Sequence, residues 1–227
     1  MKKSTSQALP TDTTKEELMA VLRTKGIRDE RVLKALSSVP REKFVPAIFV
    51  RKAYNDVALP IGQDQTISQP YTVAFMTQEL NVEPGCKILE IGTGSGYQAA
   101  VLATMGAEVV SIERQPELYR RTSPLLASLH LPITCILGDG TLGCAERAPY
   151  DRIIVTAGAP DLPQHLLHQL RIGGRLIAPV GGSTQQRMVI VDRLGESEYD
   201  ERTSKEYFSF VPLIGEDGWS DRSGSKQ

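Results

Sequence analysis

From residue 87 onward, short apolar runs and amphipathic stretches take turns along the chain. Continuous apolar runs at 87–91, 107–112, 133–137, 150–156 and 174–180 read as strands buried on both faces, the pattern of a parallel sheet. Helical spacing fills the gaps at about 97–105, 115–129, 140–146 and 161–170. Strand and helix in alternation predict a parallel sheet with helices on both sides. Beyond residue 186 the rhythm changes. An apolar run at 187–193, a turn at Gly195 and a second run from Tyr207 to Pro212 have no helix between them. These predict an antiparallel pair and bring the sheet to seven strands. The expected fold is therefore α/β and doubly wound, with a mostly parallel seven-stranded sheet.

The first 83 residues are patterned differently. Residues 1–12 are polar and read as a tail. Thr13 or Thr14 caps a helix that runs to about Lys25 and stops at Gly26. Asp29 opens a second helix, with Val32, Leu33, Leu36 and Val39 at helical spacing before Pro40 ends it. Residues 40–70 carry proline, glycine and aromatic side chains without clear period, and such long connections are often functional. Another helix covers Val73 to Leu80 ahead of the Pro84-Gly85 turn. The expected divisions are a tail (1–12), a helical and loop region on the substrate side (13–83), an α/β domain (84–219) and a polar tail (220–227).

With 227 residues, 41% hydrophobic and 23% charged, the chain suits one soluble domain with a helical appendage. No apolar run approaches the roughly 18 residues needed to span a bilayer, so no membrane partner is expected. Lys2 and Lys3 are not followed by an apolar segment, so no secretory signal is read and the cytoplasm is the expected location. Cys86, Cys135 and Cys144 lack metal-ligand spacing, and an odd count argues against a disulfide framework. Cys135 reads as a small core residue. His165 and His168, one helical turn apart, read as residues that cap or decorate a helix, so no metal is expected. A net charge of −1 argues against an obligatory nucleic-acid partner. Residues 1–60 hold twelve Lys/Arg against seven Asp/Glu, +5, leaving −6 for the rest, a spread that solvated helices account for.

The candidate chemistry gathers where the first strand of the alternation ends. Strand 87–91 runs into Gly92, Gly94 and Gly96, and a helix begins near Tyr97. Backbone without side chains there can lie against a nucleotide-like ligand, with the N–H groups of the helix start facing it. A dinucleotide site wants G-x-G-x-x-G. Here the third glycine comes one residue early, and Glu90 stands two residues before the first. E-x-G-x-G-x-G resembles the S-adenosylmethionine (SAM) site of class I methyltransferases, where an acid suits the ammonium and sulfonium of the cofactor. A pyrophosphate would be poorly served by that anion. Glu113 ends the next strand, seventeen residues past Gly96 (113 − 96), near the spacing at which an acid accepts from ribose hydroxyls. That acid suits NAD as well, so only the glycine spacing and Glu90 favour SAM. After the third strand, Gly138-Asp139-Gly140 reads either as a simple turn or as an adenine site, Asp139 accepting from the amino group. After the fourth, the small residues from Thr156 to Pro160 leave room for a substrate.

Upstream stands Gln65-Thr66-Ile67-Ser68-Gln69-Pro70-Tyr71. Together with Pro40-Arg41-Glu42-Lys43-Phe44-Val45-Pro46, Tyr54, Pro60-Ile61-Gly62, the glycine loop and Phe210-Val211-Pro212-Leu213, it resembles the bacterial protein-L-isoaspartate O-methyltransferases. The resemblance runs from about residue 15 to Trp219. It implies a class I, Rossmann-like fold and the repair of aged proteins. The family uses SAM to methylate the free α-carboxylate of L-isoaspartyl residues; the ester closes to a succinimide, which partly hydrolyses to aspartate. It also implies that Ser68 is the active-site residue, that Thr66 and Ile67 lie near cofactor and substrate, and that Val211 lies in the segment pairing with the substrate backbone. A histidine of the human-type enzymes, five positions beyond the serine, is Val73 here. A carboxylate is already ionised at neutral pH, so no general base is needed and the task is alignment. Ser68 then orients the carboxylate, and it reads as well as the N-cap of the helix after Pro70. The implied partners are isoaspartyl proteins and peptides, met by a monomer. Rival readings are a methyltransferase acting on a small molecule or RNA, a SAM-binding protein without activity, and an NAD oxidoreductase.

Overall fold

The computed structural model describes residues 13–220; the tails expected at 1–12 and 220–227 lie outside it, Ser220 excepted. The N-terminal part holds helices α1 (Lys15–Thr24) and α2 (Glu30–Ser38), a hairpin of β1 (Leu59–Gly62) and β2 (Gln65–Ile67), and helix α3 (Pro70–Leu80). Then follow β3 (Lys87–Ile91), α4 (Tyr97–Thr104), β4 (Glu108–Glu113), α5 (Pro116–Ala127), β5 (Ile133–Leu137) and β6 (Tyr150–Val155). Helix α6 (Gln164–Gln169) and strands β7 (Leu170–Gly181), β8 (Gln186–Arg193) and β9 (Tyr199–Phe208) complete the chain. The seven strands β3–β9 form one sheet in the order β5-β4-β3-β6-β7-β8-β9. It is parallel from β5 to β7, and β8 and β9 each pair antiparallel with the strand before them.

The apolar runs explain this arrangement. Successive side chains of a strand face opposite sides, so a continuous run needs cover on both. In β3, Ile88 joins a core shared with α1 to α5, whereas Leu89 and Ile91 join a second core with Leu166 and Leu167 of α6. The N-terminal helices pack into the first core, which seats the hairpin beside the sheet. Their ends follow the local signals. Thr14 and Glu17 form a capping box at α1, and Asp29 caps α2.

Several elements differ from expectation. The last strand starts at Tyr199, so only Tyr207 and Phe208 of the run expected as a strand belong to it. Its exposed, charged residues conceal a sheet-edge strand, where such side chains discourage pairing with other chains. The helix expected at 140–146 is two 3₁₀ turns, Gly140–Leu142 and Ala145–Arg147, separated by Gly143 at φ +64°. The helix expected at 161–170 shortens to six residues, and β7 begins at Leu170 directly after it. Residues 40–70 contain two 3₁₀ helices and the hairpin. That hairpin turns through Gln63 and Asp64 at φ +55° and +53°, without the Asn-Gly or Asp-Gly signature that announces such turns. Cys135 is half-buried on edge strand β5, packed against the first core. Among the described residues no helix is long and apolar enough to cross a membrane.

Candidate active site

From β3 the chain winds through β4 to β5, then returns to place β6 on the other side of β3. The loops leaving β3 and β6 therefore diverge, and a crevice opens at the carboxyl ends of the strands. Gly92 (φ +94°) turns so close to the end of β6 that a Cβ there would lie 2.6 Å from Thr156 Oγ1. At Gly96 (φ +86°) a Cβ would lie 2.8 Å from Thr122 Cγ2 of α5. Both threonines brace the loop: Thr156 Oγ1 donates to Gly92 O at 2.7 Å and Thr122 Oγ1 to Gly94 O at 2.7 Å.

Most of the loop's N–H groups are committed to the protein itself. The amides of Gly92 and Thr93 donate to Ile112 O, and that of Gly96 to Thr93 O. Gly94 N–H donates to Glu113 Oε2 at 2.7 Å. A pyrophosphate would meet four committed loop donors and a carboxylate, which disfavours a dinucleotide there. Glu113 lines the crevice, and its Oε1 accepts from Gln115 N at 2.8 Å. A carboxylate has about four acceptor positions, so Glu113 keeps capacity for a ligand's hydroxyl groups.

Two of the three expected acids do not face the crevice. Glu90 is 0% exposed and does not line it. Strand alternation turns its side chain opposite to Ile91, which does line it. Its Oε2 accepts from Ser111 Oγ, which in turn meets Thr93 Oγ1 at 2.6 Å, while Oε1 has no partner. Burial pushes its carboxyl up to about 8, so at neutral pH it is mainly a neutral acid rather than a counter-ion. Asp139 is also turned away. Its Oδ1 accepts from Thr141 N and Oγ1 at 2.9 and 2.8 Å, and its Oδ2 from Glu216 N at 2.9 Å. These bonds hold 138–140 in a turn, and the C-terminal segment occupies the second oxygen. Gly140 does line the crevice, held so close to β3 that a Cβ would lie 2.5 Å from Ile91 Cγ2. Gly96 packs against α5 and does not line it.

On the facing side, β2 and the residue after it carry Thr66, Ile67 and Ser68 into the same crevice, and Val211 reaches it from beyond β9. Helix α3 is capped at Gln69, without a side-chain bond, so Ser68 is not the N-cap. Among the described residues its hydroxyl has no hydrogen-bond partner. Val73 forms part of the apolar lining beside it. From Ser68 and Val211 an open groove leads outward past Lys25, Tyr71 and Glu206.

Other side chains complete the lining. Gln98 is a buried amide in the otherwise apolar first turns of α4, donating to Thr77 Oγ1 at 3.0 Å; its polarity in such a helix was a readable sign. Leu213 and Ile214 line the crevice because their segment is fastened from outside. Trp219 Nε1 donates to Gly158 O at 3.0 Å, and Asp217 pairs with His165 at 2.7 Å. Asp217 raises the His165 pKa, so this histidine serves as a clasp. Among the described residues no three His, Cys, Asp or Glu side chains gather where an ion could be held.

Comparison with known proteins gives this geometry a family. The family profile of protein-L-isoaspartate(D-aspartate) O-methyltransferase matches residues 13–218. A protein-L-isoaspartate O-methyltransferase of Cytophaga hutchinsonii is 47% identical over 209 residues, covering 92% of this chain and 94% of that protein. A solved protein-L-isoaspartate O-methyltransferase superposes with a TM-score of 0.78 at 29% identity, over 90% of this chain and 67% of that one. A Plasmodium falciparum structure described as a putative enzyme of the same kind, in complex with S-adenosyl-L-homocysteine, gives 0.73 at 25% identity, over 89% and 99%. With its profile matched along nearly the whole described length, the chain belongs to the protein-L-isoaspartate O-methyltransferase family.

Proposed function

We propose that this protein transfers a methyl group from SAM to the free α-carboxylate of L-isoaspartyl residues in damaged proteins and peptides. The observation that supports this best is one crevice lined from opposite sides. Gly92, Gly94, Glu113 and Gly140 approach it from the sheet; Thr66, Ile67, Ser68 and Val211 approach it from the hairpin and the C-terminal segment. The sheet side suits SAM. It offers close backbone, an acid for ribose hydroxyls, and loop amides mostly committed within the protein rather than offered to a phosphate. Bound there, SAM supplies an electrophilic methyl group on a sulfonium.

The chain's own residues do the placing. Glu113 holds the ribose, while Gly92 and Gly94 let the backbone lie against the ligand. Ser68, with a hydroxyl uncommitted inside the protein, hydrogen-bonds the acceptor carboxylate and aims one oxygen. A carboxylate with a pKa of about 3.3–3.9 needs no base, so proximity and orientation carry the rate. The groove past Tyr71 and Glu206 admits an extended peptide, with Val211 beside its backbone, a mode that reads main chain more than side chains. The protein works as a monomer in the cytoplasm, with damaged proteins as its partners and neither nucleic acid nor membrane required.

The test is tritiated SAM with an isoaspartyl peptide beside its ordinary aspartyl counterpart. Base-labile label on the first alone is the expected result. Equal label on both, or on neither, would refute the proposal.

A further inference from the structure

Arg41 is the largest fully buried side chain of the described residues, 0% exposed, and it carries a charge. Its Nε donates to Ala53 O at 2.8 Å and its Nη2 to Ser68 O at 2.7 Å. The guanidinium lies 4.8 Å from the centre of the Tyr97 ring, and Nη1 has no partner. Tyr97 and Ser68 both line the crevice; Arg41 does not. It stands directly behind the active-site serine.

The charge has no counter-ion of its own. Asp56 attracts it without forming an ion pair and is itself bonded to Lys25 Nζ at 2.6 Å and Tyr71 N at 2.8 Å, while Glu42 accepts from the Tyr54 hydroxyl. Two carbonyls and Tyr97 are its direct contacts. Burial lowers its pKa, yet a guanidinium does not give up its proton in proteins. An unpaired buried cation is costly unless something negative arrives to meet it.

We infer that Arg41 is a positioning residue whose charge waits for the substrate's carboxylate. It pins the Ser68 carbonyl, which sets the direction of the serine hydroxyl. Its positive field also favours an anion at Ser68 over a neutral group of the same shape. An isoaspartyl α-carboxylate supplies that anion, and a peptide amide does not. The methyl ester produced is neutral, so the attraction disappears with the product and release is favoured. The inference rests on the isoaspartyl reading of the site and adds to it how the free carboxylate is recognised.

The experiment compares two peptides that differ only at that group, an isoaspartyl peptide and its α-carboxamide. Binding of each is measured by fluorescence anisotropy in wild type, Arg41→Met and Arg41→Lys, with SAM affinity and kcat alongside. Wild type is expected to prefer the carboxylate at least about tenfold, and Arg41→Met to lose that preference, with kcat/KM down on the order of 100-fold. Its affinity for the carboxamide and for SAM should stay within about twofold. Arg41→Lys, which keeps the charge, should keep the preference while kcat falls. If Arg41→Met weakens both peptides equally, its role is only structural and the inference fails. Should Arg41→Met not fold, a collapse of the preference in Arg41→Lys overturns it just as well. A wild type that labels no isoaspartyl peptide defeats the functional reading instead, which keeps the two failures apart.

Discussion

Ser68 belongs to neither the strand before it nor the helix after it, and that position leaves its hydroxyl free for a ligand. Replacing it by alanine removes one hydrogen bond to an ionised group, worth about 1.5–3 kcal/mol, or roughly 10–150-fold in rate. Ser68→Ala should therefore retain SAM binding by calorimetry and methylate an isoaspartyl peptide roughly 10–150-fold more slowly; undiminished turnover would remove Ser68 from the mechanism. Glu90 leads to a different expectation, concerning stability. Its folded-state pKa, about 8, lies above the ordinary 4.5 because burial penalises the charged form. The stability tied to its neutral form is complete below pH 4.5 and is lost as pH rises through 8. Glu113 and Cys135 are the ionisable groups acting on it, and neither offers a positive charge. Glu90→Gln cannot ionise. Without ligand, its melting temperature should track wild type near pH 5 and exceed it increasingly toward pH 9. Parallel curves across that range would show that Glu90 does not titrate there.

At the scale of elements, the glycine loop is a packing device as much as a ligand cradle. Gly92 and Gly96 combine positive φ with a Cβ position already taken by Thr156 or by Thr122 and Leu126. Gly94 has positive φ but only ordinary contact, with Ile61 Cδ1 3.7 Å away. Left-handed backbone costs a non-glycine residue about 1–2 kcal/mol, and overpacking adds about 1–3 kcal/mol. In thermal unfolding, Gly92→Ala and Gly96→Ala should thus be clearly less stable than Gly94→Ala. The reverse order would mean that the loop shifts freely, against its bonds to Thr122 and Thr156. The loop itself was legible, because its glycines follow an apolar run at fixed offsets. The β1–β2 hairpin was not, since strands of four and three residues have no periodicity to read and the turn uses Gln63 and Asp64. β9 escaped for a related reason: an edge strand with an exposed, charged face lacks the apolar run of a buried one.

Across the whole molecule, the crevice joins the N-terminal hairpin to the sheet and the C-terminal segment, so a ligand there should stabilise the fold as a unit. At one hundred times its dissociation constant, SAM should add about 2.7 kcal/mol, or roughly 5–10 °C in melting temperature for a chain of this size. NAD should add nothing, since the amides of Gly92, Thr93, Gly94 and Gly96 are already bonded within the protein. A shift with NAD and none with SAM would reverse the cofactor assignment. The contrast between local and distant constraints divides what was readable from what was not. The sequence by itself determined the alternation of strand and helix, the glycine turn, the cofactor class and the serine segment, because each rests on residues adjacent in the chain. Only the tertiary structure decided which acids line the crevice. Glu113 enters the crevice, Glu90 is turned behind it by strand alternation, and Asp139 is taken by Glu216, a residue 77 positions away. Burial and partnership are properties of what packs around a side chain, and for each of the three acids at least one deciding neighbour, Gly94, Ser111 or Glu216, lies far off in sequence.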